Sequence, residues 1–171
     1  MTTLKRSFMP WVLFIALSLA GCVASGPAGF KELPLISGFG EIYIFRESKF
    51  EAAGINTDIY VDGTKIGNLP NGSYLVIYAS TAKHKVEARF SLINKMWYSD
   101  AAIELSVDDG KSVFAELDLT MTSLVVVGPA ASSTWSTGFQ NCAPATARTV
   151  VDRLRINNSN FELFVPDTKA R

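Results

Sequence analysis

The sequence predicts a mainly β protein, an all-β sandwich or small barrel with one short C-terminal helix, preceded by a signal peptide and a flexible tether. Three observations carry this prediction. Segments rich in β-branched and aromatic residues recur through the middle of the chain, as in EIYIFR at 41–46 and DIYV at 58–61, a composition that suits half-buried pleated surfaces. Turn signals built from Asp, Asn, Gly and Pro separate these segments at regular spacing. In KVEARFSL, Val86, Ala88, Phe90 and Leu92 alternate with Lys85, Glu87, Arg89 and Ser91, the period of a strand with one buried face.

The chain of 171 residues begins with Lys5 and Arg6 ahead of an apolar run from Phe8 to Ala20, broken only by Pro10 and Ser18. That order is the charged and greasy sequence of an export signal. The run is shorter than the roughly 18 to 20 apolar residues a permanent transmembrane helix needs. It ends in Leu19, Ala20, Gly21 and Cys22, which resemble the lipobox of bacterial lipoproteins. Small residues fit a peptidase groove, and a thiol can form a stable thioether to diacylglycerol. The resemblance implies cleavage after Gly21 and lipidation of Cys22, with two or more acyl chains anchoring firmly at ~0.8 kcal/mol per buried methylene. Val23 follows where Asp would retain a lipoprotein at the inner membrane, so the expected place is the inner leaflet of the outer membrane, facing the periplasm.

The chain therefore divides into a signal peptide over 1–21, a lipidated tether over 22–40, a β-sandwich domain over 41–128, and a segment over 129–171. The last comprises a loop, a short helix and a C-terminal strand or tail packing on the domain. The tether VASGPAGFKELPLISGFG mixes Gly, Pro and Ser without a period, and about 18 flexible residues span roughly 25 Å. Its GFG at 38–40 lacks the third glycine of a dinucleotide fingerprint and precedes a strand where that fingerprint follows one.

Within the domain, Asp62 and Gly63 between apolar segments mark IYVDGTKIGNL as a hairpin, since Gly accepts positive φ and Asp tolerates it. Pro70, Asn71 and Gly72 reverse the chain into SYLVIYAS. Ile103, Leu105 and Val107 repeat the alternation, and DDG at 108–110 turns into KSVFAELDLT. TSLVVVG at 122–128 is a continuous apolar run, expected to be buried on both faces. From Leu119 to Ala147 there is no Asp, Glu, Lys or Arg, and GPAASSTWSTGFQNCAP reads as a small-residue loop. Pro144 can open a helix, and Ala147, Val150, Val151 and Leu154 recur at helical spacing. FELFV at 161–165 is a candidate closing strand.

IYIFR, IYVDGTKIGNLPNGSY and the following KHKV resemble the bacterial family called Domain of Unknown Function 2846, small envelope proteins with an aromatic strand ending in Arg, a VDG hairpin, an NGSY turn and a PGKH-like turn. The likeness runs from about Gly40 to Thr120, and departs at Thr81 and Ala82, where the family has Pro and Gly. It implies an immunoglobulin-like or prealbumin-like β-sandwich and carries over no activity.

The inventory of chemical groups is thin. With 16 basic and 16 acidic residues the formal charge is zero, and no basic run offers the footprint of a nucleic-acid binder. Signal cleavage takes away Lys5 and Arg6, leaving 14 basic against 16 acidic side chains. His84 is the one histidine and reads as a polar turn residue; without a His or Cys partner at ligand spacing no zinc site is expected. Ser73 lacks the glycines of a nucleophile elbow, and Asp108 and Asp109 beside Gly110 are expected to be a hairpin tip. Cys142, alone once Cys22 is acylated, is expected to be a packed, inert thiol. Trp97, Tyr98 and Trp135 are the candidate contact aromatics.

These readings favour a lipid-anchored, non-enzymatic envelope module that meets the membrane through its lipid and acts by contacts with another envelope protein or glycan, with no cofactor, metal or nucleic acid. The alternative is a glycan- or small-ligand-binding module using loops near Trp97 or Trp135. An envelope hydrolase would need a constellation that these residues do not suggest.

Overall fold

The computed structural model describes residues 26–127, 130–157 and 163–164, and it places the alternating segments in two packed sheets. In chain order the elements are β1 (Phe39–Arg46), β2 (Thr57–Val61), β3 (Thr64–Leu69), β4 (Ser73–Ser80), β5 (Lys83–Arg89), β6 (Ala101–Ser106), β7 (Ser112–Val127), β8 (Ala130–Cys142), α1 (Pro144–Val151), β9 (Arg155–Ile156) and β10 (Leu163–Phe164). The larger sheet has the order β10-β4-β1-β7-β8, with β9 also paired to β4; the smaller is β3-β2-β5-β6. β1 is antiparallel to β4 and parallel to β7, so the larger sheet is mixed. The chain thus forms the mainly β sandwich that the sequence predicts. The segment expected to be an export signal, Cys22 and most of FELFV lie outside the described residues.

Side-chain alternation decides which layer each residue serves. Ile42 and Ile44, with Leu75, Ile77, Leu117 and Leu119, point from the larger sheet to Ile59, Val61, Val86, Ala88 and Leu105 of the smaller. The intervening residues Tyr43, Phe45, Tyr74, Val76, Tyr78 and Phe114 face the other way, where Leu33, Ala147, Val151 and Leu154 cover them. β1 and β4 are therefore buried on both faces, which explains their nearly continuous apolar sequence.

That second layer corrects the tether. From Gly26 onward the chain is clamped to the sheet: the hydroxyls of Tyr74, Tyr43 and Tyr78 donate to the carbonyls of Gly29 (2.8 Å), Lys31 (2.8 Å) and Pro34 (2.6 Å). Phe30 stacks on Tyr43 at 5.0 Å, and Tyr43 on Phe114 at 4.8 Å. Aromatic burial outweighs the Gly- and Pro-rich composition, which serves to bend the segment along the sheet.

Two further expectations change. GPAASSTWSTGFQNCAP is no loop: Ala130–Cys142 is a strand paired antiparallel with β7 from Phe114↔Cys142 to Val127↔Ala130. Its Ser, Thr and small residues hide a strand whose inward side chains include Trp135 and Phe139. TSLVVVG is not buried on both faces either. It is the outer half of β7, where Leu124, Val125 and Val126 are exposed, because β1 pairs with β7 only as far as Glu116.

The strand directions define two ends. At the lower end lie the Asp62–Gly63 turn, the Thr81–Ala82 turn and the connection 107–111. At the upper end, reached by the C-terminus of β1, lie the connections 47–56, 70–72 and 90–100 and the β7–β8 hairpin. β9 pairs with Ser73 and Tyr74 at the top of β4. Arg155 donates to the Gly26 carbonyl at 3.1 Å and Ile156 N–H to that of Pro27 at 3.1 Å, so the described chain begins at the upper end.

Candidate functional site

The lower end is closed by its own polar groups. Asp62, with φ 47°, and Gly63, with φ 82°, form the tight turn their sequence predicts. Asp62 Oδ1 accepts from Lys85 N–H at 2.8 Å, and Oδ2 lies 2.8 Å from His84 Nδ1. His84 Nε2 donates to the Ser80 carbonyl at 2.8 Å. The ring is 1% exposed, and both its nitrogens tie the β2–β3 turn to the end of β4. The alternation that buries Val86 and Ala88 extends back one step to His84, a signal present in the sequence. Thr81, standing where the family has Pro, donates its N–H (3.2 Å) and hydroxyl (3.1 Å) to the Gly38 carbonyl. Gly40 packs so tightly that a Cβ there would come 2.5 Å from the Asp108 carbonyl oxygen, which explains the second glycine of GFG.

The upper end is built on a buried cation. Arg46 is 2% exposed; its guanidinium donates to the Ile55 carbonyl at 2.6 Å and also to that of Ala52. Desolvation pushes its pKa down to about 10 against the opposing influence of Tyr98. These bonds hold the 47–56 connection, from which Phe50 projects almost fully into solvent. Asp100 closes the 90–100 connection by accepting from Phe90 N–H (3.0 Å) and Lys95 Nζ (2.7 Å). Burial works to raise the Asp100 carboxyl, but those two bonds outweigh it and leave it below its ordinary value.

Within that connection, Phe90 and Tyr98 turn inward and stack at 5.4 Å. Tyr98 also meets Trp135 at 5.1 Å. Leu92, Ile93, Met96 and Trp97 turn outward around a short 3-10 turn at Asn94–Met96. The three candidate contact aromatics therefore divide: Tyr98 is buried, Trp135 is half-buried against it, and Trp97 is 51% exposed. Among the described residues every exposed large apolar side chain except Leu35 lies at this end. Leu35 sits at the other, near Gly110.

On the α1 side of β7, Asp118 bonds Lys49 Nζ at 2.5 Å and the Thr120 hydroxyl at 2.8 Å. Burial would raise its carboxyl, yet these bonds hold it below the usual range. Glu116 is raised, first by burial and then by the charges of Glu47 and Asp118. Burial, with the Glu116 charge beside it, also raises the Cys142 thiol, which suits a packed and unreactive cysteine. Ser73 donates to the Pro70 carbonyl at 2.6 Å, a turn contact. Asp108 pairs with Lys111 at 3.1 Å, and Asp109 accepts from Gly38 N–H at 2.8 Å. Among the described residues no group of three His, Cys, Asp or Glu could hold a metal, and no helix is long and apolar enough to cross a membrane.

The described groups thus define a β-sandwich with a self-bonded polar end and an exposed apolar one. The family described as Protein of unknown function (DUF2846) matches residues 37–130, and the chain belongs to it. No curated protein and no solved structure matches.

Proposed function

We propose that this protein is a lipid-anchored, non-enzymatic module of the bacterial cell envelope, held by acyl chains on Cys22 and acting through contacts with another envelope component. The observation that carries this reading is Leu19-Ala20-Gly21-Cys22 at the close of a short apolar run that follows Lys5 and Arg6. A structural role for His84, both of whose ring nitrogens are engaged, supports the non-enzymatic part. The mass of the mature N-terminal peptide tests the reading. A diacylglyceryl-modified and N-acylated Cys22 is expected, with Cys22→Ala released from the membrane fraction or left unprocessed. A free thiol on a chain that keeps its leader contradicts it.

A further inference from the structure

We infer that the upper end of the sandwich is a bilayer-docking surface, with the β7–β8 hairpin and the 90–100 connection set into the headgroup layer of the membrane that holds the anchor. The inference rests on the proposed acylation of Cys22 for its choice of partner, and on the fold for its choice of face.

Reach comes first. Gly26 is fixed at the upper end through Arg155 and Ile156, and Cys22 is four residues before it, so the arm spans at most about 14 Å fully extended. A lipid on Cys22 cannot hold the module far from the surface. The hairpin leaves the sandwich at this same end. β7 stays in the core through Leu117 and Leu119, and past the Met121–Trp135 pair six more residues, Thr122–Val127, carry the ribbon onward by about 20 Å at about 3.3 Å per residue. A register shift between Met121 and Ser123 marks a bulge at its root. The ribbon is longer than the arm, so its tip meets the bilayer whenever the acyl chains are inserted.

Leu124, Val125 and Val126 are all more than half exposed at the tip, in a stretch without a charged residue from Leu119 to Ala147. The neighbouring connection presents Leu92, Met96 and the amphipathic ring of Trp97, an arrangement suited to the boundary between headgroups and acyl chains. Lys95 stands among them, its ammonium paired with Asp100 at 2.7 Å and its stem able to lie on apolar surface. A water-facing role would place apolar residues singly around the molecule; here they gather where the anchor must be.

Depth follows from the backbone. Past Glu116 β7 has lost β1, and β8 is the last strand of its sheet, so among the described residues neither ribbon edge is covered by a further strand. Such edges are not tolerated in hydrocarbon. The ribbon therefore lies inclined along the surface, with side chains entering about 5 to 10 Å as interfacial elements do.

The test uses the full-length acylated protein carrying Cys142→Ser and Val126→Cys, labelled at position 126 with an environment-sensitive fluorophore. It is reconstituted into phosphatidylethanolamine–phosphatidylglycerol vesicles containing lipids spin-labelled at shallow or deep acyl positions. A matching protein labelled through Asp109→Cys reports the lower end. Quenching at 126 at least threefold above that at 109, and stronger from the shallow label, is expected. Equal quenching at both positions overturns the inference, as does an unquenched label at 126 accompanied by a dimer or a bound protein on that end. Peptide mass at Cys22 in the same sample is read separately: a bare thiol refutes the anchor, whereas an acylated Cys22 with an unquenched tip refutes the docking surface alone.

Discussion

The two ends of the sandwich are both made of connections between strands, yet they solve opposite problems. At the lower end the Asp62 carboxylate, the His84 ring, the Ser80 carbonyl and the Lys85 N–H satisfy one another within a few ångströms. At the upper end Arg46 and Asp100 do the same work for the roots of the connections, while Phe50, Leu92 and Val126 are left in the open. The lower end is finished within the chain; the upper end carries apolar surface that folding alone does not hide.

Substitutions should separate the ends by what they cost. The largest effect is expected from His84→Ala, which empties a buried ring site and strips the Ser80 carbonyl of its donor. About 3 kcal/mol of stability should be lost by urea denaturation. A loss below about 1 kcal/mol would mean that the lower end is not held by this ring. Next comes Tyr78→Phe, which deletes the hydrogen bond to the Pro34 carbonyl at about 1 kcal/mol. Hydrogen exchange should then accelerate in residues 29–36 ahead of the β1 amides; unchanged exchange there would mean that the clamp lies elsewhere.

A smaller effect, of opposite sign, is expected from Glu116→Gln. Burial and nearby carboxylates raise the folded-state pKa of Glu116, so its ionised form works against folding above that value. This penalty is relieved as pH falls through the folded value toward the unfolded one. The Gln variant should therefore gain less than about 1 kcal/mol at neutral pH, reduced by solvent screening. The advantage should disappear under acid conditions; an advantage that persists at low pH would contradict the assignment. The smallest effect is expected from Leu124→Ser combined with Val126→Ser. These exposed residues should change stability by no more than about 0.5 kcal/mol, in contrast to His84→Ala, and a large loss would show that the hairpin tip supports the core.

Much of the β body was legible because its physics is local. Asp62–Gly63 announces its turn, Val86, Ala88 and Phe90 announce a half-buried strand, and Pro144 opens α1 where helical spacing begins. The failures share a cause, in that burial depends on partners the sequence does not display. The GPAG-to-GFG stretch looks like a tether until Tyr43, Tyr74 and Tyr78 from strands β1 and β4 meet its carbonyls. The run Leu124, Val125 and Val126 looks doubly buried until β1 proves too short to cover it. SSTWSTGFQNC looks like a loop from its own weak strand preference, which its pairing with β7 outweighs. His84 was in phase with the buried face, but a polar side chain beside a turn reads as exposed unless that phase is followed back. Of the apolar end only Trp97 was legible, as a candidate contact aromatic, since the members come from three connections brought together only by the fold.

The contrast between the ends can be read most directly by hydrogen–deuterium exchange on the acylated protein, in vesicles and then in detergent. The account expects slower exchange in vesicles at residues 90–100 and 120–127, with amides at 62–63 and 81–85 unchanged. Protection spread evenly over both ends, or confined to the His84 end, would contradict it.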